Sequence, residues 1–418
     1  MRNDHHNTQR SFPMVCDKEM TADHPLATTL GPFHLENPFL LSSAPPTASY
    51  EHIRRAFSVG WAGAVIKTIR PDGMVIEDVS PRFHAIKGIS GDIQGFENIE
   101  LLSKKSVSYW TSHIPRIKRE FPDKLLIASI MGSPDKEEWK ALAGIVEMAG
   151  ADAIEMNVSC PHGMPEQGVG AAIGQNPSMV RDLTRAVRDA ADIPVIVKLT
   201  PNVTDIIPIA RAASAGGADM ISAINTVQCL PGIDLDSFEP LPSVAGYSTY
   251  GGYSGPAVKP IGLRVVSQVA SAVDLPVIGI GGISGWRDAA EYMLAGASAV
   301  QVCTAVMWHG IGIIREMQSG LFSYLAGKGF SSPDQLRGLA LGKLKTHQSL
   351  SRATRVRPVL SSPDACTSCG RCTIACRDGG YHAIALLGGK PEFDYSRCDG
   401  CSLCSYICPE GAIMLTRG

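Results

Sequence analysis

Short apolar, β-branched runs recur along the chain, each fenced by Gly, Pro or Asp. They are NPFLLSSA (37–44), AGAVIKT (62–68), KLLIASIM (124–131), ADAIEMNVS (151–159), IPVIVKLT (193–200), ADMISAINT (218–226), LPVIGIGG (275–282) and ASAVQVCT (297–304). Near-continuous apolar runs of this length predict strands buried on both faces. The stretches between them have helical spacing, as in DKEEWKALAGIVEMAG and NPSMVRDLTRAVRDAAD. In the second, Val180, Leu183 and Val187 share one face, Asn176 is placed to cap the helix and Pro177 to begin it. A weak internal repeat supports the alternation. SVGWAGAVIKT, MAGADAIEMNVS, AGGADMISAINT and LAGASAVQVCT all run helix end, glycine, alanine, buried strand, with glycine supplying a left-handed helix terminus. Strand–helix alternation repeated in this way predicts an α/β fold, a (β/α)8 TIM barrel rather than an open doubly wound sheet.

Two connections are long, 69–123 after the second strand and 227–259 after the sixth. Both follow strand C-termini, where barrel enzymes grow their active-site loops. The organisation expected is a loose tail at 1–26, a barrel over 27–328, a connecting segment at 329–360 and a cysteine-rich domain over 361–418. The tail lacks the apolar core of a signal peptide. No apolar run approaches the ~18 residues of a membrane span. Of the 418 residues, 44% are hydrophobic and 19% charged, and the formal net charge is −2. That balance gives no reason to expect nucleic acid or an anionic membrane as partner.

Of the 12 cysteines, Cys16, Cys160, Cys229 and Cys303 are scattered, and the rest crowd together near the C-terminus. In a long chain without a signal peptide, such clustering points to metal in a reducing, cytoplasmic compartment rather than to disulfides. Cys366, Cys369, Cys372 and Cys376 fit C-x2-C-x2-C-x3-C, and Cys398, Cys401, Cys404 and Cys408 repeat it, with Pro409 following. This double run is that of bacterial ferredoxins, in which the fourth cysteine of each copy ligates the other cluster. Cys376 is therefore expected to join Cys398, Cys401 and Cys404, and Cys408 to join Cys366, Cys369 and Cys372. The alternative, a pair of structural zinc sites, does not require the crossed double spacing. The prediction is a 2×[4Fe-4S] ferredoxin-like α+β domain, a conduit for single electrons.

Polar residues close the predicted strands: Ser43, Lys67, Ser129, Asn157, Lys198, Asn225 with Thr226, Gly281 with Gly282, and Cys303 with Thr304. A lysine ending an apolar strand is costly unless it meets a polar or negative partner. Two lysines, several amide or hydroxyl side chains and two glycine stretches together point to a polar cofactor across the barrel mouth. Gly281–Gly282 and Cys303–Thr304 follow strands seven and eight, the usual barrel phosphate position, and YGGYSG (250–255) brings further backbone N–H groups. Neither GIGGISG nor GVGAAIG is a Rossmann fingerprint, because Ser284 and Ile173 stand at the third glycine. A phosphate-bearing cofactor linking one-electron clusters to two-electron organic chemistry is most simply FMN.

The motifs NVSCPHG, VKLTPNVTDI, INT, TYGGYSGPAVKPI and NIELLS, followed by the double ferredoxin run, resemble the dihydropyrimidine dehydrogenases. The likeness covers about residues 27–418 and is closer still to the bacterial FMN and iron–sulfur subunit, with dihydroorotate dehydrogenases as more distant barrel relatives. The resemblance implies that Ser43, Ala44, Lys67 and Lys198 contact the flavin, and that Gly255, Gly281, Gly282, Cys303 and Thr304 hold its phosphate. Asn98, Asn157, Asn225 and Thr226 would bind the pyrimidine, whose carbonyls and N–H groups match an amide's paired donor and acceptor. Cys160 stands where the family has its general acid, and a thiol with a reference pKa near ~8.5 is mostly protonated at neutral pH. Ser159 and His162 are its neighbours.

The family's complete enzyme also carries an N-terminal module with FAD, more clusters and the nicotinamide site. Its absence here implies a separate NAD(P)H-oxidising FAD/iron–sulfur subunit and hence a hetero-oligomer. The expected reaction is reversible reduction of the 5,6 double bond of uracil or thymine. The loop after Cys160 departs from the family at Pro165, Gln167, Ile173 and Asn176, and IRPDG and QCLPGIDLDSFEP are individual too. Dihydroorotate or another activated cyclic alkene is the alternative substrate. A non-catalytic electron-transfer flavoprotein, with Cys160 as packing, is the alternative of another class.

Overall fold

Each apolar run forms a strand: β1 (Phe39–Leu41), β2 (Gly63–Val65), β3 (Leu125–Ile130), β4 (Ala153–Asn157), β5 (Val195–Leu199), β6 (Met220–Ala223), β7 (Val277–Ile280) and β8 (Ala297–Val302). They pair in parallel in chain order, and β8 returns to β1 with Val300 opposite Phe39 and Val302 opposite Leu41, closing a barrel. Helices α1 (Tyr50–Ser58), α2 (Val107–Glu120), α3 (Lys136–Met148), α4 (Pro177–Ala190), α5 (Ile207–Gly216), α6 (Lys259–Ala272), α7 (Trp286–Leu294) and α8 (Ile314–Lys328) each follow the strand of the same number. The computed structural model describes residues 25–74, 76–89, 91–160, 169–353 and 355–417. Cys16, His162, Pro165 and Gln167 lie outside the described residues.

The local signals act as their chemistry dictates. Asn176 Oδ1 accepts from the N–H groups of Ser178 and Met179 at 3.0 and 3.2 Å, capping α4. Gly60, Gly150, Gly217 and Gly296, the glycines of the internal repeat, have φ of 110°, 92°, 95° and 108°, a region that side chains with a Cβ avoid.

Strand alternation sorts the barrel into two media. Outward residues such as Leu126, Ile154, Val197 and Val300 pack on the helices. Inward residues Leu40, Val65, Ile127, Ala153, Ile196, Met220, Ile278 and Ala299 form a separate apolar cluster with Leu30 and Leu35. The last two come from the hairpin Thr28–Leu30/Phe33–Leu35, which closes the barrel floor. Two residues further along, the inward positions become Ser42, Lys67, Ser129, Glu155, Lys198, Ser222 and Gln301, all buried. One pleat thus separates a greasy floor from a polar layer.

The two long connections meet above the mouth as an antiparallel sheet in the order Val227–Cys229, Gly251–Ser254, Ile93–Asn98, Phe83–Lys87. In the sequence these segments look like loops, because strands of three to six residues rich in Gly, Gln and Glu carry little alternation.

A second compact unit begins at Leu344. Val356–Leu360 pairs with Ile413–Arg417, Ile384–Leu387 with Lys390–Phe393, and two short helices, Arg371–Asp378 and Leu403–Tyr406, complete it. The expected connector 329–360 is therefore divided. Leu336 is buried in the barrel core and the Ala340 N–H donates to Leu294 O at 3.0 Å, whereas Val356–Leu360 is a strand of the second unit. At the other boundary, Leu26, expected in the tail, is buried. No helix among the described residues is long and apolar enough to cross a membrane.

Close approach of α6 to α7 depends on Gly262. A Cβ there would lie 1.8 Å from Tyr292 Oη, the hydroxyl that donates to Gly281 O at 2.6 Å. Gly262→Ala should cost roughly 1–3 kcal/mol through overpacking, read as a lowered denaturation midpoint. An unchanged midpoint would mean that α6 can move outward at no cost.

Candidate active site

The polar layer and the covering sheet enclose a cavity of about 1100 Å³, counting its open mouth. Ser43 and Ala44 reach it from the end of β1, Lys67 and Thr68 from β2, Asn157 and Cys160 from β4, and Lys198 from β5. Asn225 and Thr226 enter after β6, Gly281 and Gly282 after β7, Cys303 and Thr304 after β8, and Asn98 and Gly255 from the covering sheet. The cavity thus brings together every residue that the resemblance implied for flavin, pyrimidine or catalysis, whereas Ser129, the remaining strand-end residue, is not in its wall.

Its hydrogen bonds tie the ends of different strands to one another. Thr68 Oγ1 is a hub, 3.1 Å from Ser43 Oγ and 3.0 Å from Ser129 Oγ, and it accepts from Asn157 Nδ2 at 2.9 Å. Asn157 Oδ1 accepts from Ser159 Oγ at 3.2 Å, and Ser159 Oγ accepts from Asn225 Nδ2 at 2.8 Å. Asn98 Nδ2 donates to Gly252 O at 3.1 Å. Three asparagine amides are thereby held around one space, each with hydrogen-bonding capacity left over. Both lysines are paired: Lys67 Nζ lies 2.9 Å from Glu100 Oε2, and Lys198 Nζ lies 3.5 Å from Glu155 Oε1.

At the β7 and β8 corner the wall is backbone. Gly281 and Gly282 have φ of 117° and 70°, and a Cβ on Gly282 would come within 2.6 Å of Lys259 N. Gly255, with φ 102°, is as tightly placed against Gly95. Thr304 Oγ1 donates to Ser254 Oγ at 3.0 Å. Glycine turns stripped of side chains bring N–H groups to an anion. Thr226 Oγ1 and Gln301 Oε1 are buried without a protein partner, so the wall holds polar atoms that a bound group would satisfy. These residues fit a flavin mononucleotide, whose phosphate the glycine turns would hold and whose ring the lysines would face. Burial pushes the Cys303 thiol up to about 12, so it packs as a neutral group.

Cys160 is buried in the wall. Its carbonyl accepts from Ala171 N at 2.9 Å, and Gly170, with φ 60°, leaves no room for a Cβ, which would meet Cys160 O at 2.6 Å. The chain on either side of 161–168 is therefore clamped together beneath the cysteine. Of the loop's departures, Ile173 is buried core and Asn176 is the α4 cap, so both serve packing.

In the second unit, Cys366, Cys369, Cys372 and Cys408 line one cavity of about 360 Å³. Cys376, Cys398, Cys401 and Cys404 line another of about 390 Å³. Each fourth cysteine thus stands with the opposite trio. The two halves repeat in detail: Ala383 N donates to Cys376 Sγ and Ala412 N to Cys408 Sγ, both at 3.3 Å. Among the described residues no three His, Cys, Asp or Glu side chains converge on a single-ion site. Thiolates set around a cavity suit a cubane rather than a tetrahedral zinc ion.

A closed parallel barrel with a polar, phosphate-accepting mouth, joined in one chain to a two-cluster cysteine fold, defines a flavin- and iron–sulfur-dependent oxidoreductase. The chain belongs to the dihydroorotate dehydrogenase family, which it matches over residues 26–325, and it matches the 4Fe-4S dicluster domain over residues 361–415. The NAD-dependent dihydropyrimidine dehydrogenase subunit PreA of Escherichia coli (strain K12) is 42% identical over 385 residues, 91% of this chain and 92% of that protein. The chloroplastic dihydropyrimidine dehydrogenase (NADP(+)) of Arabidopsis thaliana is 39% identical over 336 residues, 78% of this chain and 79% of that one. The catalytic subunit of dihydroorotate dehydrogenase B (NAD(+)) from Pyrococcus horikoshii is 42% identical over 306 residues, 73% of this chain and 94% of that one. FMN and [4Fe-4S] clusters are the cofactors.

Several residues of the site escaped the sequence reading. Thr68 flanks Lys67, which was singled out, and Glu100 lies two residues beyond Asn98. Glu155, Ser222 and Gln301 are single polar letters inside apolar runs, and their signal is period two: each stands two places after an apolar inward residue. Glu97 is the other omission. It is fully buried on the face of the covering sheet opposite Asn98, and accepts from the Gly251 N–H and, at 3.8 Å, from the Cys229 thiol. Its Oε2 has no protein partner. Burial pushes its carboxyl from 4.5 to about 7 and the Cys229 thiol to about 12.

Two measurements follow from these sites. The unfolded chain ionises Glu97 near 4.5 and the folded chain near 7, so stability falls as pH rises through that window, by about 3 kcal/mol. Glu97→Gln should remove this loss and melt higher than the wild type at pH ~8, where the wild-type carboxylate is buried and charged. A variant with the wild-type pH slope would assign that slope to other groups. Anaerobically purified protein should contain about eight irons per chain; about four, or bound zinc, would break the two-cluster assignment.

Proposed function

We propose that this chain is the catalytic subunit of a dihydropyrimidine dehydrogenase, reversibly reducing the 5,6 double bond of uracil or thymine. Electrons reach it from NAD(P)H through a separate flavoprotein subunit in a reducing compartment. The observation that carries this reading is the charge balance of the cavity. Its wall converges four carboxamides, those of Asn98, Asn157, Asn225 and Gln301, while each lysine already faces a carboxylate and no arginine is among the described lining residues. A neutral ring with alternating carbonyl and N–H groups suits such a wall. The carboxylate of dihydroorotate would call for an uncommitted cation and would meet Glu100 instead.

FMN, when bound, supplies hydride transfer to C6 of the ring and exchanges single electrons with the clusters. The residues of the chain do the rest. Asn98, Asn157, Asn225 and Thr226 fix the ring in plane, with Thr226 Oγ1 free of protein partners for that purpose. Lys67 and Lys198 offset negative charge at the flavin. Cys160 gives its thiol proton to C5 as hydride arrives at C6, so that two electrons and two hydrogens are added, and the thiolate regains a proton from solvent. A thiol sheltered in the cavity wall suits this task.

The dihydroorotate reading is kept alive by the Pyrococcus relative, and a non-catalytic electron carrier would need no acid over the ring. Steady-state assays of the reconstituted holoenzyme on uracil, thymine and dihydroorotate separate the three. Expected is a kcat/KM for uracil or thymine well above that for dihydroorotate. Preference for dihydroorotate, or turnover of none, overturns the proposal. Cys160→Ser should lower turnover by about 10²–10⁴ with flavin content unchanged; full turnover would remove the acid from Cys160.

A further inference from the structure

Glu155 lies in the middle of β4 with its side chain inside the barrel, fully buried and one layer behind the cavity wall. Groups from three other strands converge on it. Ser222 Oγ from β6 and Gln301 Nε2 from β8 each donate to Oε2 at 2.9 Å. Lys198 Nζ from β5 lies 3.5 Å from Oε1 and donates to Ser42 Oγ at 3.4 Å. Lys198 and Gln301 line the cavity, whereas Glu155 does not.

Two consequences follow. A carboxylate only accepts hydrogen bonds, so Gln301 must turn its NH2 group to Glu155, which leaves Gln301 Oε1 as the buried acceptor without a protein partner. The ion pair also reduces the positive charge that Lys198 presents to the cavity, and in a water-poor interior such pairing acts strongly.

We propose that Glu155 is a positioning residue that sets the flavin's redox poise, by offsetting the charge of Lys198 and by fixing Gln301 with its carbonyl oxygen available to a cofactor N–H. The inference rests on the FMN reading of the cavity. Two-electron reduction places negative charge on the flavin's pyrimidine ring. A carboxylate behind Lys198 therefore holds the midpoint potential down and keeps the bound flavin a strong reductant.

The test is a spectroelectrochemical titration of the FMN-loaded full chain, followed at flavin wavelengths. Glu155→Gln should move the midpoint to more positive potential, by at least tenfold in the flavin's redox equilibrium. Glu155→Asp, whose shorter carboxylate is withdrawn from Lys198, should give a smaller shift of the same sign and serves where the amide variant does not fold. In a Lys198→Met background the Glu155→Gln shift should shrink to less than half. Full FMN occupancy with no shift overturns the proposal alone, as does a shift undiminished without Lys198. Loss of FMN from both Glu155 variants with an intact barrel also overturns it, leaving Glu155 a purely structural group. A wild-type chain purified without FMN overturns the flavin reading and this inference with it.

Discussion

A closed barrel gives its inward side chains no solvent, so every polar group placed there must be answered by another protein group or by a ligand. The rest of this molecule is arranged around that constraint. Up to Leu40, Val65, Ile127, Ile196, Met220 and Ala299 the interior is apolar and self-sufficient. One pleat higher it holds Ser42, Lys67, Ser129, Glu155, Lys198, Ser222 and Gln301, all buried. The protein meets much of that demand by cross-strand pairing, through Thr68, Glu155 and Asn157. Part of the shortfall, at Thr226 Oγ1 and Gln301 Oε1, lies in the wall of the cavity. Binding capacity is thus the unpaid remainder of a buried polar layer.

The covering sheet makes that layer possible. Without it, the strand ends would open to water and the lysines would be solvated rather than paired. Its two faces divide the labour: Phe96 and Asn98 look into the cavity, while Glu97 is buried behind with Cys229 and the Gly251 N–H. A carboxyl pushed up to about 7 in this position ties the stability of the roof to pH, on the face turned away from the cavity.

Legibility in the sequence followed burial. The barrel strands were readable because burial on both faces leaves apolar runs, and the repeat glycines because their φ values exclude other residues. Lys67, Lys198, Asn157 and Asn225 were readable because a polar residue ending an apolar strand is conspicuous. Glu155 and Gln301 are polar residues enclosed by apolar ones within the strand, where the sequence offers only a parity clue. The covering sheet was hidden because its two short strand pairs, one in each long connection, join only through Gly251–Ser254 and Ile93–Asn98, more than a hundred residues apart, so no local pattern announces the whole. The division of 329–360 was hidden for the same reason: Leu336 and Val356 are ordinary apolar letters until their partners are known.

The doubled cysteine run announced the crossed grouping through its likeness to bacterial ferredoxins, and the two cavities bring together the same two quartets. The sequence by itself also determined the barrel, since period, punctuation and apolar runs are local properties that survive in any context. Only the tertiary structure decided which carboxylate meets which lysine, which face of the roof sees the cavity and which polar atoms remain unanswered. Those are properties of side chains brought together from distant strands, and burial raises their energetic weight after the chain has closed around them.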